Sequence, residues 1–121
     1  MKYRVLICGS RNYNELSSVR EFLARNIDSI ECIIEGGARG ADRCARMAAE
    51  SLGIPVITFE ADWKQYGKRA GPIRNQLMLD AGNPHYVLAY PMPDSIGTWD
   101  MMKRAEKAGV PVKNMTNATK K

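Results

Sequence analysis

The sequence predicts an α/β fold with a doubly wound, all-parallel sheet, and three observations carry that prediction. Five short runs rich in β-branched residues alternate with longer stretches of helical periodicity. The short runs are nearly all apolar, as expected of strands covered on both faces. Gly-x-Pro recurs where helices should end, at Gly53-Ile54-Pro55 and Gly109-Val110-Pro111, with Gly82-Asn83-Pro84 similar. Glycine there supplies a left-handed residue, proline stops the helix, and the next apolar run follows at once. Such strand–helix–strand units imply right-handed crossovers. The expected architecture is therefore Rossmann-like, with five strands and four main helices in the order 3-2-1-4-5.

The first strand is expected over Tyr3–Cys8. A first helix follows from about Asn14, a good N-cap, with Leu16, Val19, Phe22, Leu23 and Ile27 on one stripe. The second strand is Cys32–Glu35. A second helix starts near Gly40 and turns Ala41, Cys44, Ala45, Ala48 and Leu52 inward, residues small enough to let it lie close to the sheet. The third strand is Pro55–Phe59. A third helix opens at Gly71-Pro72, where proline suits the first turn, and buries Ile73, Leu77, Met78 and Ala81. Tyr86–Tyr90 is the fourth strand. A fourth helix begins around Gly97-Thr98, with Thr98 as its expected cap and Met101, Met102 and Ala105 inside, and Pro111–Lys113 is the fifth strand.

At 121 residues the chain is one domain, long enough to bury roughly two thirds of its unfolded surface. Its hydrophobic fraction of 45% and charged fraction of 26% are ordinary globular values. The formal charge is +5, but three of the 18 basic residues lie in the acid-free stretch 113–121. The rest carries 15 basic against 13 acidic residues, a net charge of only +2. Residues 1–112 are expected to form the single domain and 113–121 a basic, flexible tail. Cys8, Cys32 and Cys44 are odd in number and lack CxxC spacing, and His85 is the one histidine. That excludes a plausible zinc set, so neither metal nor cofactor is expected. Cys8 and Cys32 lie in apolar runs and read as buried thiols of a reducing compartment. The run Val5-Leu6-Ile7-Cys8 is too short for a signal peptide, and no segment could span a membrane. A cytoplasmic location is expected, which leaves the Asn114 and Asn117 glycosylation-like triplets without context.

In doubly wound sheets ligands bind beyond the carboxyl ends of the strands, where the order reverses. Three exit loops there look specialised. After the second strand comes Glu35-Gly36-Gly37-Ala38-Arg39-Gly40-Ala41-Asp42, whose glycines let main-chain amides approach a ligand at a helix N-terminus, a setting that favours an anion. It is not a P-loop, because no Gly-Lys-Ser/Thr follows, and GxGxxG is absent after the first strand. Gly9-Ser10-Arg11 adds a close-approach glycine, a hydroxyl and a guanidinium. Pro91 to Thr98 is the third loop, with Gly97 and Thr98 at the helix start. Arg74 and Asn75 sit in the first turn of the third helix, where a cation opposes the macrodipole unless an anion lies nearby. Asp62 to Ala70 interleaves Trp63 and Tyr66 with cations; it suits base stacking and phosphate contact as well as it suits a cover for the sheet edge. Asp100 is the best-placed acid for acid/base work, followed by Glu35, while His85 reads as a loop residue before the fourth strand.

Four ordered stretches resemble the SLOG superfamily, the Rossmann-like group named for the Smf/DprA and LOG proteins, and most of all its small stand-alone YspA-like domains of bacteria and phages. They are Val5 to Arg11, Glu35 to Asp42, Ala61-Asp62-Trp63 through Gly71-Pro72-Ile73-Arg74-Asn75-Gln76, and Gly97-Thr98 with Asp100-Met101. The resemblance runs from Arg4 to Val112 and implies a site for a nucleotide or nucleotide derivative. LOG-like members are phosphoribohydrolases that cleave the N-glycosidic bond of a nucleoside monophosphate, with a Pro-Gly-Gly-x-Gly-Thr-x-x-Glu motif and a helix-borne arginine. Arg74 matches that arginine. The motif's paired glycines fall on Asp94 and Ser95 and its glutamate on Met101, and Asp100 is one residue away, roughly 100° around the helix.

The expected function is binding of a nucleotide-derived, phosphate-bearing ligand through Gly9, Ser10, Arg11, Gly36, Gly37, Ala38, Gly40, Arg74, Asn75, Gly97 and Thr98. A nucleotide-derived small molecule is the expected partner, nucleic acid the alternative; a homo-oligomer is left open and a membrane partner excluded. One rival is N-glycosidic hydrolysis with Asp100 or Glu35 as acid/base and Arg74 assisting. The other is DprA-like binding of single-stranded DNA through the Gly36–Gly40 loop and the Trp63–Arg69 stretch, against which the modest charge of the body counts.

Overall fold

The computed structural model describes all residues from Met1 to Lys121. Five parallel strands pair in the order β3-β2-β1-β4-β5, as predicted: β1 is Tyr3–Gly9, β2 Ile30–Glu35, β3 Val56–Thr58, β4 Tyr86–Tyr90 and β5 Val112–Asn114. The helices are α1 Leu16–Arg25, α2 Ala41–Ser51, α3 Trp63–Tyr66, α4 Ala70–Asp80 and α5 Ile96–Lys107. No helix is long and apolar enough to cross a membrane.

The central strands read as unbroken apolar runs because their side chains feed two cores in turn. Val5, Ile7 and Ile33 pack with Val19 and Leu23 of α1 and with Ala41, Ala45 and Ala48 of α2. Leu6, Cys8 and Ile34 pack with Met78 and Leu79 of α4 and with Met101, Met102 and Ala105 of α5. One core lies on each face of the sheet, the arrangement that right-handed crossovers about β1 produce. All three cysteines are buried and free.

Several local expectations are corrected. The first helix has Glu15, not Asn14, as its N-cap residue, with no capping side chain, and Ile27 leaves the helix for an exposed 3-10 turn at Ile27–Ser29. At the third helix exit Asn83, not Gly82, takes the left-handed conformation (φ 50°). Two short helical turns, α3 and the 3-10 turn Gly67–Arg69, lie where only a loop was expected.

The largest difference is the phase of α4. Ile73, Leu77 and Ala81 point outward, and the buried side carries Ala70, Gly71, Asn75, Met78 and Leu79. Apolar residues are scattered around this helix, so its pattern could not choose a face. Polar anchoring chose it instead, because Asn75 turned inward finds carbonyl and carboxylate acceptors on α5.

Residues 113–121, expected to fray, begin inside β5 and then run beside the β4 exit. Met115 N donates to Ala89 O (2.7 Å), Thr116 Oγ1 to Pro91 O (3.1 Å) and Lys121 N to Pro93 O (2.8 Å).

Candidate functional site

A broad cleft of about 1040 Å³ lies at the carboxyl edge of the sheet, where the strand order reverses. The exits of β1, β2 and β4, the segment from Glu60 to Lys68, the N-terminal half of α4 and the start of α5 frame it; because α4 begins at Ala70, Arg74 and Asn75 lie in its second turn rather than the expected first. The β1 and β2 exits are locked together. Ser10 O accepts from Ala41 N at 3.1 Å, and Gly40 (φ 76°) lies so close beneath it that an added Cβ would be 2.1 Å from that oxygen. Gly9 is likewise a packing glycine, since a Cβ there would be 2.6 Å from Ala41 Cβ and 2.7 Å from Tyr90 O. The close approach expected of Gly9 is thus to the protein's own core.

The amides of Gly36, Gly37 and Ala38 are not bare, whereas those of Arg39 and Gly40 have no partner, which narrows the sequence-based picture of an open anion nest. Gly36 N (3.1 Å) and Ala38 N (3.2 Å) both donate to Asp42 Oδ2, and Gly37 N donates to Glu35 Oε1 (2.6 Å). The Asp42 carboxyl is 5% exposed. Burial, with the nearby Glu35 charge, raises its pKa from 3.8 to about 6, while the two amides and Arg74 pull the other way. Glu35, proposed as an acid/base, is buried and does not line the cleft. Its second oxygen accepts from Thr58 Oγ1.

Arg74 and Asn75 join the loop to the opposite wall. Arg74 Nη1 donates to Gly36 O and Arg74 Nε to Asn75 Oδ1 (3.1 Å). Asn75 Nδ2 donates to Gly97 O (3.1 Å) and Asp100 Oδ2 (3.0 Å). Asp100 also pairs with Arg104 at 2.8 Å, whose Nη1 donates to Gln76 Oε1. No buried side-chain nitrogen or oxygen here is left without a hydrogen-bond partner.

The start of α5 differs from expectation. Ser95 is its N-cap residue, its hydroxyl accepting from Met92 N (3.0 Å), and Thr98 falls inside the first turn. Ile96 N and Trp99 N are bonded, to Asp94 O and Ser95 O. The N–H groups of Gly97 and Thr98 are left without a backbone partner, at the positive end of the helix, facing the cleft.

Of the expected ligand residues, Gly9, Ser10, Arg11, Gly36, Gly37, Ala38, Arg74, Asn75, Gly97 and Thr98 line one cleft, and so does Asp100. Gly40 lies behind it. The lining also brings in Arg39 and Lys68, which the sequence placed only in the DNA-binding alternative, Asp94, read as standing at a motif glycine position, Asp42, read only as part of the loop motif, and Glu60, which the sequence did not single out. Four cations (Arg11, Arg39, Lys68, Arg74) therefore face four carboxyl groups (Asp42, Glu60, Asp94, Asp100). Arg39 and Lys68 lie within two of the motif stretches, but only the tertiary fold turns them to one space. Cys8 forms part of the floor, and burial raises its thiol pKa far above the usual range, so it is no thiolate nucleophile. His85 lies at the far edge of the sheet, where Nδ1 accepts from Arg4 N (2.9 Å).

A family model described as the YspA, cpYpsA-related SLOG family matches residues 3–66, from β1 to α3. The Gene 61 protein of Mycobacterium phage D29 is 39% identical over 119 residues, covering 92% of this chain and 94% of that protein. Among solved structures, DNA processing protein A (DprA) from Streptococcus pneumoniae matches with a TM-score of 0.76 at 20% identity. That match covers 96% of this chain and 52% of the streptococcal chain, so this chain spans about half its length, and the likeness is one of fold.

Proposed function

The chain belongs to the YspA, cpYpsA-related SLOG family, and from that premise we propose that it binds a phosphate-bearing, nucleotide-derived small molecule in the cleft at the reversal of strand order. The observation that carries this reading is the start of α5. There the free amides of Gly97 and Thr98 open on the same space as Arg11, Arg39 and Lys68. A phosphate suits that helix end, because N–H groups and macrodipole act together. The Gly36 loop has a different part in this proposal. With the amides of Gly36, Gly37 and Ala38 held by Asp42 and Glu35, this part of the loop shapes the cleft and holds Arg74, and the main phosphate contacts fall to the start of α5.

The mixed charge of the lining favours a ligand with neutral hydrogen-bonding groups beside its phosphate, such as ribose hydroxyls, over a polyanion. Single-stranded DNA would call for a continuous basic track and a steep salt dependence. Hydrolysis of an N-glycosidic bond rests on Asp100, since Glu35 is sealed off from the cleft. Asp100 is already engaged by Asn75 and Arg104, which favours binding over turnover.

Calorimetry with AMP, GMP, CMP, UMP, ADP-ribose and ribose 5-phosphate tests the proposal. Thr98→Val, which keeps both free amides and removes only the adjacent hydroxyl, should weaken every phosphate-bearing probe by at most about tenfold, the worth of one hydrogen bond to a charged acceptor. Wild-type protein that binds none of them would end the reading. Release of free base, lost in Asp100→Asn with binding retained, would move it to hydrolysis.

A further inference from the structure

The two tryptophans of this chain are placed differently. Trp99 packs against the core of α4 and α5, and its Nε1 donates to Met92 O (3.0 Å). Trp63 belongs to neither buried core, is 50% exposed and lines the cleft. It opens α3, a helix of only four residues, fixed by Asp62 Oδ1 accepting from Gln65 N (3.1 Å). The six-membered ring lies against the first turn of α4, where a Cβ on Gly71 would sit 3.4 Å from Trp63 Cη2. The Arg11 guanidinium lies over the ring, 6.0 Å from its centroid, and Lys68 lines the cleft nearby.

Half of the ring packs on the protein and contributes to folding, while the other half stays in water at the cleft, where a stacking partner could cover it. We infer that Trp63 is the stacking platform for the nucleobase of the ligand, and that Arg11 rests on the ring until a base displaces it. The inference rests on the nucleotide-binding reading and adds where the base goes. Base–indole stacking needs only a π-face on each partner, so it tolerates any base. Arginine over an indole is a modest, exposed cation–π contact, weak enough to be exchanged. The ring rests at van der Waals distance from the first turn of α4 and lines the cleft.

The test compares AMP, GMP, CMP and UMP with base-free ribose 5-phosphate in calorimetry on wild type, Trp63→Ala and Trp63→Phe. Trp63→Ala should weaken the four nucleotides by roughly tenfold to a hundredfold and leave ribose 5-phosphate unchanged, with Trp63→Phe in between. In a Trp99→Phe background Trp63 is the sole tryptophan, and its fluorescence should respond to the nucleotides and not to ribose 5-phosphate. Equal losses for nucleotides and ribose 5-phosphate would show that Trp63 only props the cleft and overturn the inference. Unchanged nucleotide affinity in Trp63→Ala would also overturn it, with the binding site itself intact. Wild type that binds neither these five probes nor ADP-ribose would overturn the parent reading and the platform together, and wild type that binds ADP-ribose alone is tested with that probe in Trp63→Ala in place of the four nucleotides. Far-UV circular dichroism checks that Trp63→Ala folds, and the fluorescence arm needs no substitution at position 63.

Discussion

Gly40 shows how a single missing side chain determines the geometry of the cleft. It combines a left-handed backbone with contact against Ser10 O, so a β-carbon would be both strained and overlapped. Gly40→Ala should cost at least ~2 kcal/mol of stability, measured by urea unfolding. Gly97 is the control, since its helical position has no heavy atom within 4 Å of an added Cβ and Gly97→Ala should cost nothing. The glycines were visible in the sequence as a group, but their separate duties were not. Gly9 and Gly40 meet the protein's own backbone, and the amides of Gly36 and Gly37 were taken by carboxylates at positions 42 and 35. A loop motif specifies where a chain can bend; which acceptor fills each amide depends on contacts made only after folding.

At the level of elements, α4 and α5 form a polar hinge through Asn75, which holds Gly97 O and Asp100 while accepting from Arg74. Asn75→Ala would orphan these groups and should destabilise the fold by about 1–3 kcal/mol in thermal or urea melts. It should also weaken ligands, because it frees the first turn of α5. Leu77→Ser, a change of similar size on the outward face, should stay within about 0.5 kcal/mol of wild type. Strand positions were legible because buried parallel strands are uniformly apolar, and β4 fell on its predicted bounds. Helix existence was legible from the periodic stripes and the Gly-x-Pro exits between those strands. The phase of α4 was not, because Ile73, Leu77, Met78 and Leu79 surround the helix and one buried amide outweighs their pattern. The four-residue α3 is too short to leave a periodic trace.

For the whole molecule, the buried Asp42 couples the site to stability. Its folded pKa of about 6 lies above its unfolded value of 3.8, so the folded chain keeps this proton where the unfolded chain loses it. The stability it contributes is full below the unfolded value and is lost as pH rises to about 6. Relative to Asp42→Asn, which cannot titrate, wild type should therefore gain Tm as the pH is lowered from about 7.5 to about 4. The expected gain is on the order of 3 kcal/mol, and a constant difference between the two proteins across that range would refute the assignment. Asp42 and Glu35 act here as built-in counter-charges for the loop amides, which sequence alone had reserved for a ligand.

The path of the last residues has a practical corollary. Because Lys121 reaches back to Pro93, one residue from the Asp94 and Ser95 rim, anything fused behind it would emerge at the mouth of the cleft. An affinity tag there would compete with probes for entry and report false weakness. Met1 precedes β1 at the opposite edge of the parallel sheet, so it is the end from which the protein can be immobilised or labelled without obstructing the opening.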